Sequence, residues 1–180
     1  MDEKELEIVA NSIDELRQDL AGISYKAKSD EISNDDWSTE IITLVTAEYI
    51  RQWMLGKSST EINQAEIDII NRVASKQYGY INATSKTLEA LTIQEIVRRV
   101  GMYANSARQM YWQSRANRYG INLPAYPGDG SSECKSNCKC HWQIEQGTNV
   151  ILAFWRLGWA DHCPTCTGRA ARWNPYTIQL

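Results

Sequence analysis

Leu123-Pro-Ala-Tyr-Pro-Gly-Asp-Gly130 divides this 180-residue chain. Two prolines and two glycines in eight residues cannot form a helix interior, because proline removes an N–H and clashes with the preceding turn. Taken alone, such a segment is a plain turn. Here it stands between two textures. Upstream of Gly120, apolar residues recur at helical spacing; downstream, all five cysteines fall between Cys134 and Cys166. The turn reads as the mouth of a small terminal module. The chain then has three parts: a helical arm and linker over 1–30, an α-helical body over 31–120 and a Cys-rich module over 121–180.

Working back from the turn, Thr92-Ile-Gln-Glu95 has the form of a capping box, in which two orphan N–H groups are satisfied reciprocally. It opens the longest predicted helix, Thr92 to Tyr119, which spans about 42 Å at 1.5 Å per residue and stops at Gly120. Ile93, Ile96, Val97, Val100, Ala104 and Ala107 form its apolar stripe. Arg98, Arg99, Arg108, Arg115 and Arg118 are either a solvated face or a contact for phosphates or an acidic protein surface. Ser58-Ser-Thr-Glu61 is a second capping box, for a helix carrying Ile62, Ile67, Ile70, Val73 and Ala74 and ending near Tyr78-Gly79. Asn34-Asp-Asp-Trp37 offers cap side chains and negative charge to a helix from Trp37 to Leu55. Ile41, Leu44, Val45, Tyr49 and Met54 face inward there, with Gly56 as terminator. Leu6, Val9, Ile13, Leu16 and Leu20 mark a first helix that stops at Gly22, and residues 23–33 read as a linker. A short amphipathic helix on a tether gains little stability alone. The arm is therefore expected to dock on a neighbouring molecule, the alternative being a return onto its own basic helix.

Downstream, the pattern is Cys134-x3-Cys138-x-Cys140, then 22 residues, then Cys163-Pro-Thr-Cys166, with the only two histidines, His141 and His162, beside the two groups. Two thiol knuckles about 20 residues apart suit a structural zinc site, each knuckle giving two thiolates to one tetrahedron. The expected ligands are Cys134, Cys138, Cys163 and Cys166, with Cys140 or a histidine as substitute. Four protein ligands leave no open position, so such zinc is structural, not catalytic. A disulfide framework leaves one thiol over and needs an oxidising compartment. A redox Cys-Pro-Thr-Cys lacks its βαβ setting. A Cys–His dyad pairs sequence neighbours whose side chains point apart. Trp142 and Val150-Ile-Leu-Ala-Phe-Trp155 read as two short strands, or a strand and a turn, forming an apolar floor beneath the metal. The fold class is thus mainly α: a helical body with one long helix, followed by a small zinc-stabilised module with short strands.

The composition, 43% hydrophobic and 23% charged, is that of an ordinary globular protein. Charge is uneven: residues 1–96 hold 9 basic and 18 acidic side chains, residues 97–180 hold 10 and 4. The halves face different partners or each other. No stretch approaches 18 uncharged apolar residues, so no membrane span is expected. Met1-Asp-Glu-Lys-Glu-Leu-Glu7 is acidic where a secretory signal is basic, which points to folding in a cytosol. Without a carboxylate pair, Gly-rich phosphate loop or nucleophile motif, the chain does not read as an enzyme.

Three blocks carry a resemblance. They are Tyr103-Ala-Asn-Ser-Ala-Arg108; Leu123 to Ser131 with the first cysteine group and Trp142; and Trp155-x-Leu-Gly-Trp-Ala-Asp-His-Cys-x-x-Cys166 followed by Ala171-Arg-Trp-Asn-Pro-Tyr176. In this order they resemble the head morphogenesis or minor capsid proteins of tailed bacteriophages, and Asn137-Cys-Lys-Cys140 resembles the Asn-Cys-Arg-Cys ending of the wider minor head protein group. The likeness covers roughly residues 33–180. It implies a virion head role, assembled in the host cytoplasm through contacts with capsid or portal proteins, as a homo-oligomer or in many copies. It implies a metal-binding motif of Cys134, Cys138, Cys140, Cys163 and Cys166, with His141 at a variable position. A zinc-ribbon nucleic-acid-binding protein is the alternative reading, with nucleic acid possible but not the primary partner.

Overall fold

The computed structural model describes residues 3–159 and 161–180; Met1, Asp2 and Ala160, quoted above, lie outside the described residues. The body consists of α1 (Glu3–Lys28), α2 (Asn34–Lys57), α3 (Gln64–Ser85), α4 (Ile93–Ser106) and α5 (Arg108–Arg118). The module holds β1 (His141–Gln146), β2 (Val150–Arg156), α6 (Pro164–Arg172) and β3 (Tyr176–Gln179), its strands antiparallel in the order β1-β2-β3. The protein is mainly helical, with short strands and clustered cysteines at its C-terminal end. No helix among the described residues is long and apolar enough to cross a membrane.

Local signals fix most helix starts, with shifts that have physical reasons. Thr92 caps α4 with Glu95 as read. The cap of α2 is Ser33, whose side chain accepts from the Asp36 N–H while Asp36 returns to the Ser33 N–H. The cap of α3 moves from Ser58 to Asn63, because Asn63 and Glu66 form a box of their own. The Lys57 ammonium holds Glu66 at 2.8 Å from both carboxylate oxygens. Ser58 instead ends α2 in the left-handed conformation. Gly56 does not terminate that helix. It lies inside α2, where an added Cβ would overlap the Tyr111 carbonyl oxygen and stand 2.9 Å from Ser114 Cβ. Its missing side chain lets α2 and α5 approach. The third helix also runs past Gly79, since Ile81 and Thr84 continue its buried side.

Two larger expectations are corrected. The segment read as a linker over 23–33 is helical through Lys28, because Ile23 and Ala27 extend the buried stripe of α1. Ser24 also accepts a hydrogen bond from Trp37 Nε1 at 3.1 Å. Nor does the arm wait for a neighbour. Val9, Ile13, Leu16 and Leu20 are no more than 5% exposed against α2 and α4 of the same chain. Glu5 pairs with Arg115 of α5 at 2.7 Å. The return onto the body is the arrangement adopted.

The helix read over Thr92–Tyr119 is broken at Ala107 into α4 and α5, so α1, at 26 residues, is the longest. The Ser106 hydroxyl donates to the Tyr103 carbonyl at 2.6 Å and competes with the backbone donor. The N–H groups of Ala107 and Met110 then bond three residues back instead of four. The arginine series divides in the same region. Arg99, Arg108 and Arg115 bond to their own chain, whereas Arg98 and Arg118 stay exposed, Arg118 touching Ser58.

Gly56→Val is expected to lower stability by roughly 1–3 kcal/mol, the usual cost of overpacking, read as a lower Tm. Gly22→Ala, where nothing stands within 4 Å, should leave Tm unchanged or raise it. Hydrogen exchange of the isolated chain should show strong protection across Val9–Leu20; fast exchange there would overturn the self-packed arm.

Candidate metal centre

The turn at Leu123–Gly130 aims the chain at the cysteine cluster. Asp129 accepts from the N–H groups of Tyr126 at 2.7 Å and Ser131 at 2.8 Å and from the Ser131 hydroxyl, which closes the turn. Gly128 has a positive φ of 90 and packs on the Asn105 carbonyl, so the turn seats directly on the end of α4. Cys134 and Cys138 flank a one-turn 3-10 helix, Lys135–Asn137, and Cys140 immediately precedes β1. From the other side, Cys163 caps α6 with Pro164 at its first position, and Cys166 lies one turn in. Proline fits there because its missing N–H is an orphan at a helix start.

This places all five sulphurs together. Cys166 Sγ stands 3.6 Å from Cys138 Sγ and 3.8 Å from Cys134 Sγ, and Cys163 Sγ is 3.7 Å from Cys134 Sγ. A disulfide needs about 2.05 Å, so these are separate sulphurs. They fall into two triplets, Cys134–Cys163–Cys166 and Cys138–Cys140–Cys166, within each of which all ligand atoms lie within 4.8 Å of one another. The arrangement is compatible with a bound metal ion. The four expected ligands are divided between the triplets, Cys134, Cys163 and Cys166 in one and Cys138 with Cys166 in the other, where Cys140, the substitute, also lies. Cys134 lies with Cys163 while Cys138 lies with Cys140. Only Cys166 belongs to both triplets.

Neither histidine joins a triplet among the described residues. His162 is exposed. His141 stacks on Trp112 at 6.3 Å, and burial, helped by Arg156, keeps its pKa below the ordinary value.

The electrostatics favour thiolates at two positions. The Cys138 thiol donates to Cys140 and pulls its pKa down to about 5, and the Gly158 N–H assists. The same hydrogen bond, with burial, pushes the Cys138 thiol up. Burial likewise raises Cys166. At Cys163 burial opposes ionisation, but the backbone N–H groups of Cys166 and Cys134 outweigh it and hold the thiol low.

Several supporting residues were not legible as such. Gly158 passes so close to the backbone of Lys139 that a Cβ would overlap its carbonyl. Arg108 was read only as one of a basic series. Its guanidinium donates to the Cys138 carbonyl at 2.8 Å, and burial lowers its pKa although Cys138 pulls the other way. Arg169 donates to the Ser131 carbonyl and hydroxyl at 2.9 Å and lies over the rings of Trp155 and Trp173, 5.1 and 5.5 Å away. Trp142, Trp155 and Trp173 form one aromatic floor, with centroids 5.1–5.8 Å apart. The sequence places Trp142 and Trp155 beneath the metal; Trp173 carries no such signal.

No family model, curated protein or solved structure matches the chain.

Because Cys166 belongs to both triplets, Cys166→Ser should release bound metal most completely of the five Cys→Ser variants. Elemental analysis of reduced, freshly purified protein checks this. Ligands bind as thiolates, so metal release should increase as pH falls.

Proposed function

We propose that this chain is a structural and assembly protein of a tailed-phage head, a minor capsid or head morphogenesis component, whose C-terminal module is closed by structural zinc. The observation that carries the reading is the convergence of its three resembling blocks. Asn105 of the first bonds Asn137 of the second at 2.5 Å, and Arg108 reaches the Cys138 carbonyl. Within the second block Trp142 Nε1 donates to the Ala125 carbonyl at 2.9 Å, and Cys166 Sγ of the third stands 3.6 Å from Cys138 Sγ of the second. Segments scattered over some seventy residues thus serve one joint between body and module.

Zinc is the favoured ion on chemistry. A Zn–S distance of about 2.3 Å gives tetrahedral edges of about 3.8 Å, close to the 3.6–3.8 Å sulphur separations here. Cys134, Cys138, Cys163 and Cys166 are the proposed ligands, with Cys140 as the alternate. A shell closed by four thiolates offers no site to a substrate or water, so the role is binding and assembly, not catalysis. The reading as a nucleic-acid-binding zinc ribbon is weakened by the inward use of Arg108 and Arg115.

In a phage-producing culture, tagged chain should sediment with DNase-treated heads and stay there through a wash at about 1 M salt. Phosphate-mediated binding is lost steeply as salt rises, so release in that wash would favour the nucleic-acid reading. The purified chain should carry about one equivalent of zinc, as a single four-ligand site requires. Cys163→Ser should remove the zinc and the near-UV signal of the tryptophan floor while most far-UV helicity persists. Loss of all helicity would show that the module is inseparable from the body.

A further inference from the structure

Cys140 is the thiol that a single four-ligand shell leaves over, and its surroundings are not those of an inert spare. Its sulphur lies with those of Cys138 and Cys166 in a triplet whose ligand atoms are all within 4.8 Å of one another. The three side chains are buried, Cys140 at 4%, Cys138 at 2% and Cys166 at 1% exposure. Cys134 and Cys163 stand outside this triplet and join it only through Cys166. The cluster therefore has a second focus, away from the first triplet.

Local backbone builds that focus. Cys138 leaves the 3-10 turn with φ −58 and ψ 123, and β1 starts at His141. Residues two apart in such extended chain face the same way, so Cys138-x-Cys140 presents two sulphurs together. Cys166, one turn into α6, supplies the third. Donors line the far side of Cys140: the Gly158 N–H points at its sulphur and the Trp155 indole lies beside it. Trp155 Nε1 is buried with no aligned acceptor among the described residues, and a thiolate at Cys140 would supply one. N–H groups aimed at sulphur are the outer shell that holds a metal-bound thiolate.

We propose that Cys138, Cys140 and Cys166 hold a second thiophilic divalent ion beside the zinc, with Cys138 and Cys166 as bridging thiolates and Cys140 as the ligand that the second ion alone has. Thiolates select soft ions such as zinc over magnesium or calcium. Charge selects a divalent one. A divalent ion on four thiolates is already net negative, and Cys140 as a further buried thiolate adds to that charge, which a second divalent ion offsets. With three protein ligands, two of them shared, the second ion binds more weakly than the first. A freshly purified chain thus keeps one ion and takes the second from added metal. The proposal rests on the zinc reading for the first ion and adds a second site, its ligands and its class of ion.

The test uses the full chain, loaded with zinc, kept reduced by a phosphine and titrated with cadmium ion. Native mass spectrometry should show two metal ions per chain at saturation. NMR of the fully cadmium-substituted chain should give two metal signals coupled through the shared sulphurs. Cys140→Ser should weaken the second ion by about a hundredfold or more, beyond what loss of an outer-shell contact costs, and leave the first ion in place. His162→Ala, which removes the exposed imidazole beside Cys163, should change neither ion. Circular dichroism of each variant separates lost folding from lost ligation. Should Cys140→Ser unfold the module, the stoichiometry and coupling of the wild-type chain decide by themselves. Saturation at one ion, two uncoupled signals, or loss of the second ion in His162→Ala would overturn the proposal. So would a folded Cys140→Ser chain that keeps both ions, or one that loses both and thereby places Cys140 in the first shell. Saturation at one ion leaves the zinc reading standing, whereas a chain that binds no metal overturns both.

Discussion

Five thiols gathered in one place repel one another when ionised, and hydrogen bonds among protonated thiols are weak. A multivalent cation turns this crowding into an attraction by satisfying several thiolates together. The C-terminal module is small. Its sheet has three short strands, β3 being only four residues, and α6 has nine. A sheet of that size buries too little apolar surface to stand alone and requires a helix, a metal or a larger partner. Here it has α6, the cysteine centre and the helical body.

The body serves as more than an attachment point. Ala107, where the helix read as continuous breaks, is followed directly by Arg108, which reaches the Cys138 carbonyl. Trp112 of α5 stacks on His141 of β1, and Asn105 joins Arg17 of α1 at 2.6 Å to Asn137 of the cysteine loop at 2.5 Å. The apolar core accordingly runs without interruption from Val9 to Cys166. The cysteine cluster at one end and helix packing at the other are linked through part-buried polar contacts, where an unsatisfied group is costly.

Reading the sequence recovered the parts whose causes are local. The box at Thr92 depends on residues within one turn, and the stripe of α1 declares itself through periodicity. The cysteine groups declare themselves through spacing. Errors arose where a distant element overrode a local preference. Gly56 looks like a terminator until α5 is laid across it, and residues 23–28 look aperiodic until Ile23 and Ala27 meet the body. Ser58-Ser-Thr-Glu61 matches a capping box, but Asn63 with Glu66 competes for the same helix start and has Lys57 on its side.

What the sequence alone determined is therefore the inventory: a helical majority, a break after Gly120, and a terminal cluster of five cysteines. Those follow from side-chain periodicity, backbone restriction and short-range hydrogen bonding, all of which act within a few residues. Only the tertiary structure decided that α1 returns to its own body, that the helix leading to the module breaks at Ala107, and that Cys166 is shared between two sulphur triplets. Each depends on the simultaneous position of segments far apart in the chain, where burial and close approach outweigh local preferences of about 1 kcal/mol or less.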